Sequence, residues 1–185
     1  MKDVLRPILE LTVVFPGLLL AYFPVRSYLK QSSAKLAVWE VPLLFGLCLG
    51  GGLFCYHFGL STAFPLLLIT IVTIFLYLKT LRLSLWKSGT IALAVCAVFA
   101  CLNSLSRAVG TAITIRLQLP PDDKPWFCFS ACIFYNVICW LTAAAAYYPS
   151  THAVRAMVED DNFAQTWYVF WVLPLVFILL NLFIT

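Results

Sequence analysis

The chain has 185 residues, of which 63% are hydrophobic and only 11% are charged, and its mean hydropathy is +0.96. A soluble globular domain carries about 25% charged residues, and 12 Lys and Arg with 8 Asp and Glu cannot cover the surface of one this long. The composition therefore excludes a soluble enzyme and predicts a chain embedded in lipid. The net charge is +4, but the basic residues are scattered between apolar runs, which argues against a nucleic-acid partner.

Apolar segments long enough to cross a bilayer core of about 30 Å follow one another along the chain. They are Ile8–Val25, Leu36–Tyr56, Ser61–Leu78, Gly89–Ser106, Trp126–Tyr147 and Thr166–Phe183. No linker separates them into two units. We predict an all-α fold, a polytopic transmembrane bundle of about six spanning helices, which forms a single integral-membrane domain over residues 1–185.

Sequence signals for catalysis and for metal binding are missing. The seven cysteines lie within or at the ends of apolar runs, which is typical of small hydrophobic residues. Cys128 and Cys132 stand one helical turn apart, but no His or acidic residue accompanies them at zinc-ligand spacing. The chain has no Gly-rich phosphate loop, no H-E-x-x-H and no G-x-S-x-G motif. We therefore expect no enzymatic activity, no metal site and no cofactor.

The distribution of Lys and Arg predicts the orientation of the chain in the membrane. In a six-helix topology, five of these residues fall on the side of the N-terminus and seven on the opposite side, which includes the short first and third loops. The second side is therefore predicted to be cytoplasmic, and the N-terminus to face outside. A six-helix chain would then also end outside, as expected of a module truncated before a further helix.

Ionisable and polar side chains near one end of the predicted bundle are candidates for a ligand site. Arg107 ends the fourth segment after Asn103, and a guanidinium there could bind an anionic group. The other candidates are acidic and aromatic residues of neighbouring loops and helix ends: Asp122, Asp123, Tyr56, Trp126 and His57. The alternative for Arg107 is a helix-end anchor on a lipid headgroup, and for His57 a hydrogen-bonded surface residue. Glu10 and Glu40 lie in the first turns of their helices, so we expect both to reach the membrane interface.

Small, polar and proline residues inside the segments predict how the helices pack and bend. Gly46 and Gly50 have the small-x-x-x-small spacing that lets helices approach closely, within one chain or between two, and Gly51 and Gly52 follow them. Asn136 is expected to bond a neighbouring helix rather than a substrate. Pro16, Gly17 and Pro174 predict kinks, which are either ordinary bends or hinges used in signalling.

Two polar stretches have weaker patterns. Alternation over Ala112–Leu119 is typical of a short strand or an interfacial segment. A short amphipathic helix is expected to begin at Ser150 or Thr151, with Val158 on its apolar face and Arg155 and Glu159 toward water.

The stretches Tyr148–Arg155 (YPSTHAVR) and Gln165–Asn181 (QTWYVFWVLPLVFILLN) resemble the membrane sensor region of GHKL-type sensor histidine kinases of Firmicutes. The resemblance covers mainly the last third of the chain and follows an apolar pattern. It implies several N-terminal helices, a last helix returning to the cytoplasm, a dimerisation segment and an ATP-binding domain. The phospho-accepting His box and the ATP-binding boxes are missing from this chain, so no kinase residue can be assigned to it.

These observations lead to the hypothesis of a sensory, signal-transducing module in a bacterial plasma membrane. Its expected partners are the lipid bilayer, an extracellular or membrane-borne ligand, a second copy of the chain and a cytoplasmic effector domain that the chain does not contain. The alternative is a small transporter or channel subunit, which would need polar residues facing each other at the midplane.

Overall fold

A computed structural model describes residues 2–116, 128–160, 167, 169–172 and 174–176. Over these residues the chain is predominantly helical. The main helices are α1 (Lys2–Leu11), α2 (Val14–Tyr22), α3 (Ser33–Phe58), α4 (Ala63–Thr80), α5 (Leu85–Arg116) and α6 (Phe129–Ala145). After α6 comes a bent extension, Tyr147–Glu159, which contains a π-helical turn over Ser150–Val154.

Four helical spans in the described residues are long and apolar enough to cross a membrane: Asp3–Tyr22, Ser33–Phe58, Ala63–Thr80 and Leu85–Arg116. A fifth is added if α6 and the bent extension, which meet at 41°, form one broken span. The chain is therefore consistent with a multi-pass membrane protein. Most of the predicted sixth segment, Thr166–Phe183, lies outside the described residues, so the predicted number of six spans is not reached in this structure.

The first span, α1 with α2, occupies the centre of the bundle. Its most apolar stretch is 61% buried, against 17% for α4. α3 packs along α1 on one side, while α5 and α6 pack against each other and against the first span on the other. Leu11, Leu18 and Ala21 of the first span belong to the main hydrophobic core, and Val13 belongs to a second core around Cys132 on α6. A movement of the first span would therefore reach every other helix.

Helix ends follow local sequence. Ser32 caps α3 by accepting a hydrogen bond from the Lys35 N–H at 3.4 Å. Gly59 ends the same helix in the left-handed conformation, with φ of 64°, which a residue without Cβ adopts freely. Pro65 lies in the first turn of α4, where its missing N–H breaks no helical hydrogen bond.

The strand-like reading of Ala112–Leu119 is wrong as far as Arg116, because α5 continues to that residue. The hydroxyls of Thr114, a polar member of the alternation, and of Thr111, three residues earlier, donate back to the Gly110 and Arg107 carbonyls at 3.0 Å each. Threonine can satisfy its hydroxyl in this way within a helix. Alternation of apolar and polar residues therefore does not exclude a helix. Residues 117–119 lie outside the described part of the chain.

The end of the bundle that holds the loops after α2 and α4 is called the basic end here. The two loops pair through an isolated antiparallel bridge between Leu29 and Leu81. The bent extension docks on this end: Val158 is 1% exposed, and Lys87 donates to the Val158 carbonyl at 2.7 Å. Arg155 and Glu159 are exposed and pair with each other at 2.8 Å, as the amphipathic pattern predicts.

Candidate functional site

The first span is broken at Thr12 and Val13, four and three residues before Pro16. Proline has no N–H, so Pro16 cannot donate to the Thr12 carbonyl as a helix interior requires. The Phe15 N–H bonds that carbonyl instead, at 3.1 Å. Pro16 and Gly17 thus coincide with an interruption in the central helix, immediately N-terminal to them. Pro174 is buried in the described helical stretch 174–176.

Asn136 on α6 bridges this break. Its Nδ2 donates to the Leu9 carbonyl at 2.8 Å, and its Oδ1 accepts from the Thr12 hydroxyl at 3.1 Å. In lipid, backbone groups near a helix break need partners within the protein. Asn136 provides one for the Leu9 carbonyl and joins α6 to the point where the first span bends.

A buried polar cluster lies toward the N-terminal end of the bundle. Arg6 and Glu10 on α1 are only 5% and 4% exposed. Glu10 accepts a hydrogen bond from the Thr62 hydroxyl at the start of α4, and the Cys132 thiol on α6 donates to its other oxygen at 3.9 Å. The Glu10 carboxylate is therefore held between three helices rather than exposed on the helix surface.

A second buried polar cluster lies toward the basic end. Glu40 on α3 is 1% exposed, and the Tyr22 hydroxyl donates to its two oxygens at 3.1 and 3.3 Å. Tyr22 also bonds the Thr80 hydroxyl at 2.8 Å and packs on the Tyr77 ring at 5.2 Å. Like Glu10, Glu40 is enclosed by neighbouring helices rather than exposed on the helix surface. This cluster ties α2, α3 and α4 together.

An apolar cavity of about 230 Å³, called the central cavity here, lies against α2 directly after the break. Its wall on the first span includes Val13 at the break and Val14 and Gly17 of α2, and α4 and α5 supply most of the remaining wall. Asn103 on α5 and Tyr135 on α6 are among the few polar residues that line it. A cavity of this kind can take a small apolar molecule, because an apolar void of comparable size does not hold water well.

A larger groove of about 400 Å³, called the basic-end groove here, lies between α2, α3 and α6. Apolar side chains of α2 and α3 form its length, and Trp140 on α6 closes one side. Arg26, Ser33 and Thr151 line it as well, in the loop after α2, the first turn of α3 and the bent extension. The groove therefore has an apolar length and a polar rim.

The structure brings together only part of the predicted ligand set. Asn103 lines the central cavity, and Arg107 follows one turn later on α5, exposed but close enough to act electrostatically on Tyr135. Tyr56 and His57 are exposed at the end of α3, a helix that packs mainly on α1 and α4. The remaining predicted residues, Asp122, Asp123 and Trp126, lie outside the described residues.

The close helix approach on α3 occurs at Gly51 and Gly52. A Cβ built on Gly52 would lie 2.9 Å from the Ile8 Cα, and one on Gly51 would lie 3.2 Å from the Leu11 side chain. Gly46 and Gly50 have nothing within 4 Å of such a Cβ and face away from the described helices. Within the described chain, the contact between α1 and α3 therefore uses the second pair of glycines.

The sequence alone did not predict the central cavity or the basic-end groove, and it did not predict that the carboxylates of Glu10 and Glu40 are both buried. The carboxylates carried a signal, because an acidic residue inside an apolar segment is costly unless it is paired. Their partners, Thr62 and Tyr22, lie on other helices and could not be chosen from spacing.

Comparisons with known protein families, curated proteins and solved structures found no match to this chain.

Proposed function

We propose that this chain is a membrane sensory module in which a ligand in the central cavity changes the bend of the first span. The observation that carries the proposal is the position of the cavity, which lies against α2 immediately after the break at Thr12 and Val13. The ligand class is a small apolar or amphipathic molecule that partitions into the membrane. Its apolar part would fill the cavity, and Asn103 and Arg107, one turn apart on α5, would receive its polar or anionic group.

The packing of the first span supports this mechanism. α1 is fixed to α3 by the close approach at Gly52, and α2 borders the cavity through Val14 and Gly17. A ligand that pushes on α2 therefore works against a fixed α1, and the break between them is where the backbone can yield. Occupancy shifts such an equilibrium only as far as the ligand prefers one bend over the other.

The resemblance to the input region of GHKL-type sensor kinases agrees with a regulatory role. In that case the chain would lie in a bacterial plasma membrane with its N-terminus outside. A change in the bend would be transmitted to a cytoplasmic effector domain outside this chain. The chain itself would catalyse no reaction.

A transporter or channel subunit is the alternative function. Such a protein needs polar groups along a path through the membrane. Of the polar groups near mid-span in the described residues, Thr12 and Asn136 bond each other and the Leu9 carbonyl. The Thr70 and Thr73 hydroxyls, which line the central cavity, donate to carbonyls of their own helix at 2.7 Å each. Between Thr12 and the Tyr22 cluster, the first span contributes the core residues Val14, Leu18 and Ala21. This arrangement favours a sensor over a conducting path.

The test measures the bend directly while a probe fills the cavity. Spin-labelled amino acids are incorporated at Leu5 and Leu19, which are 43% and 42% exposed, and the chain is placed in nanodiscs. The labelled positions are about 21 Å apart along a straight helix, a separation suited to pulsed electron spin resonance. Benzene serves as the probe, because it occupies apolar cavities of similar size. We expect benzene to shift the distance distribution and to raise the melting temperature.

Matched variants connect the two effects to the cavity. Ala100→Phe fills the cavity, whereas Ala94→Phe adds the same ring to an exposed position of α5 that does not line it. Ala100→Phe should abolish both benzene effects, and Ala94→Phe should retain them. If Ala100→Phe fails to fold, Thr70→Leu replaces it as a smaller filler. Benzene binding without a distance change, or no benzene binding, would contradict the proposed function.

A further inference from the structure

The basic-end groove has the shape of a site for a single elongated, amphipathic molecule. Its volume is about 400 Å³, and it follows α2 from Phe15 to Phe23, a length of about 12 Å along the helix. Leu18, Leu19 and Leu36 line this stretch, and the polar groups of Tyr22 and Glu40, which also line the groove, bond each other. An alkyl chain fits these walls.

The rim of the groove has different chemistry. Arg26 is exposed in the turn after α2, and in the described part of the chain its guanidinium has no ion-pair partner. Ser33 adds a hydroxyl group to the lining, whereas the Thr151 hydroxyl already donates to the Tyr147 carbonyl at 2.8 Å. Glu40 also lines the groove, but it lies seven residues after Ser33, about 10 Å deeper along α3. Its carboxylate already accepts from the Tyr22 hydroxyl. The rim therefore favours an anion.

The protein surface around the rim is positively charged, as Arg26 is. Lys30, Lys35, Lys79 and Arg82 lie in or beside the two loops of the basic end, and the loop after α2 contributes Arg26 and Leu29 to the groove. The described acidic residues of this end are the buried Glu40, Glu159 paired with Arg155, and Asp160. Several basic residues beside a membrane helix attract anionic lipids, at about 1 kcal/mol for each residue near the surface.

We propose that the basic-end groove binds one anionic phospholipid of the surrounding bilayer. Its phosphate lies at Arg26, with the Ser33 hydroxyl as a hydrogen-bond donor, and one acyl chain lies along Leu18, Leu19 and Leu36 beside Trp140. The occupant is a lipid rather than a soluble anion because the polar rim continues directly into an apolar groove that opens at the helix surface. This site is separate from the central cavity, and the proposal does not depend on the sensory function.

The experiment measures lipid retention by native mass spectrometry. The full chain is purified in mild detergent with equal amounts of phosphatidylglycerol and phosphatidylcholine that carry identical acyl chains. We expect one phosphatidylglycerol to remain bound in about fivefold preference over phosphatidylcholine, because a charge-assisted hydrogen bond to the phosphate adds to headgroup attraction. Equal retention of the two lipids would overturn the proposal.

Two pairs of variants locate the lipid. Arg26→Gln should remove the preference for phosphatidylglycerol, whereas Arg82→Gln, which removes an equal charge outside the groove, should keep it. Ala37→Phe narrows the groove and should lower retention of both lipids, whereas Val38→Phe, its neighbour on the open surface, should not. Circular dichroism and melting temperature verify folding, and Ala37→Leu replaces Ala37→Phe if the larger residue prevents it.

The remaining outcomes are equally decisive. An equal effect of the two arginine variants would mean general surface charge rather than a site, and retention unaffected by Ala37→Phe would place the lipid elsewhere. Either result overturns the proposal while leaving the benzene test of the central cavity intact.

Discussion

The two buried carboxylates show how single residues hold this bundle together. A charge in the membrane interior costs several kcal/mol in order of magnitude unless it is paired. Glu10 and Glu40 are instead surrounded by hydrogen-bond donors from other helices, Thr62 for the first and Tyr22 for the second. Each acidic residue therefore makes its helix specific for one set of neighbours, because a shift of register would leave the carboxylate without its donor.

Removing the Tyr22 hydroxyl tests this reasoning. Tyr22→Phe keeps the ring against Tyr77 but leaves Glu40 and Thr80 without that partner, so we expect a loss of about 1–2 kcal/mol in the free energy of unfolding. Glu40→Gln keeps an acceptor for Tyr22 and should cost less. Unfolding by sodium dodecyl sulfate in mixed micelles provides the measurement. Tyr148→Phe, at a position 69% exposed, is the control, and an equal loss in the two phenylalanine variants would contradict the argument.

For single residues, the sequence predicted the kind of interaction better than the position of the side chain in the bundle. Asn136 was expected to bond another helix, and its amide lies between Leu9 and Thr12. Glu10 and Glu40 were expected at the interface because each stands near the start of a predicted helix. That inference used only position along the chain. Whether a side chain is buried depends on which neighbouring helix covers it and offers a hydrogen-bond donor.

At the scale of helices, the contact between α1 and α3 depends on glycine. The backbone of Ile8 approaches Gly52 so closely that a built Cβ would lie 2.9 Å from its Cα and 3.0 Å from its amide nitrogen. Backbone atoms cannot move aside as the end of a flexible side chain can. Close approach also allows extensive van der Waals contact, which drives helix association where lipid replaces water.

Gly52→Ala should therefore push α1 away from α3 and destabilise the protein by about 1–3 kcal/mol, as overpacking of a tight contact does. Gly46→Ala and Gly50→Ala add the same methyl group where nothing in the described part of the chain lies within 4 Å. They should be neutral or slightly stabilising, because alanine favours the helix over glycine. Unfolding in mixed micelles compares the three variants. A loss at Gly46 or Gly50 equal to that at Gly52 would show that the open face of α3 is also a contact.

Helix positions were predictable from hydropathy, whereas helix ends were less so. α3 and α4 begin and end within a few residues of the predicted apolar segments, since Gly59 and Pro65 mark the turn between them. α5 was predicted over Gly89–Ser106 but extends from Leu85 to Arg116. Its extra turns contain Thr111, Thr114 and Arg116, which lower the hydropathy while remaining compatible with a helix.

At the scale of the whole molecule, the fold increases the charge asymmetry between the two ends. Arg6 was counted among five basic residues on the side of the N-terminus, but it is 5% exposed inside the bundle and bonds Asp3 at 3.4 Å. At the basic end, Arg26, Lys30, Lys35 and Arg82 are all exposed. Exposed lysine and arginine near helix ends determine orientation through the excess found on cytoplasmic sides. The structure thus places more of the relevant charge at the end already predicted to be cytoplasmic.

This asymmetry predicts which end a membrane-impermeant thiol reagent reaches. In intact cells we expect His57→Cys, in the last turn of α3, to react, and Ser27→Cys, in the turn after α2, to react only after permeabilisation. Both positions are exposed, so accessibility differs only by side of the membrane. The variants are made in the native background, because Cys48, Cys55, Cys132 and Cys139 are buried and replacing them would disturb the core. The unmodified chain gives the baseline, and a detergent-solubilised sample shows that both introduced thiols react when exposed. Reaction at Ser27→Cys with protection at His57→Cys would invert the orientation and place Arg26 and the basic-end groove on the outer side.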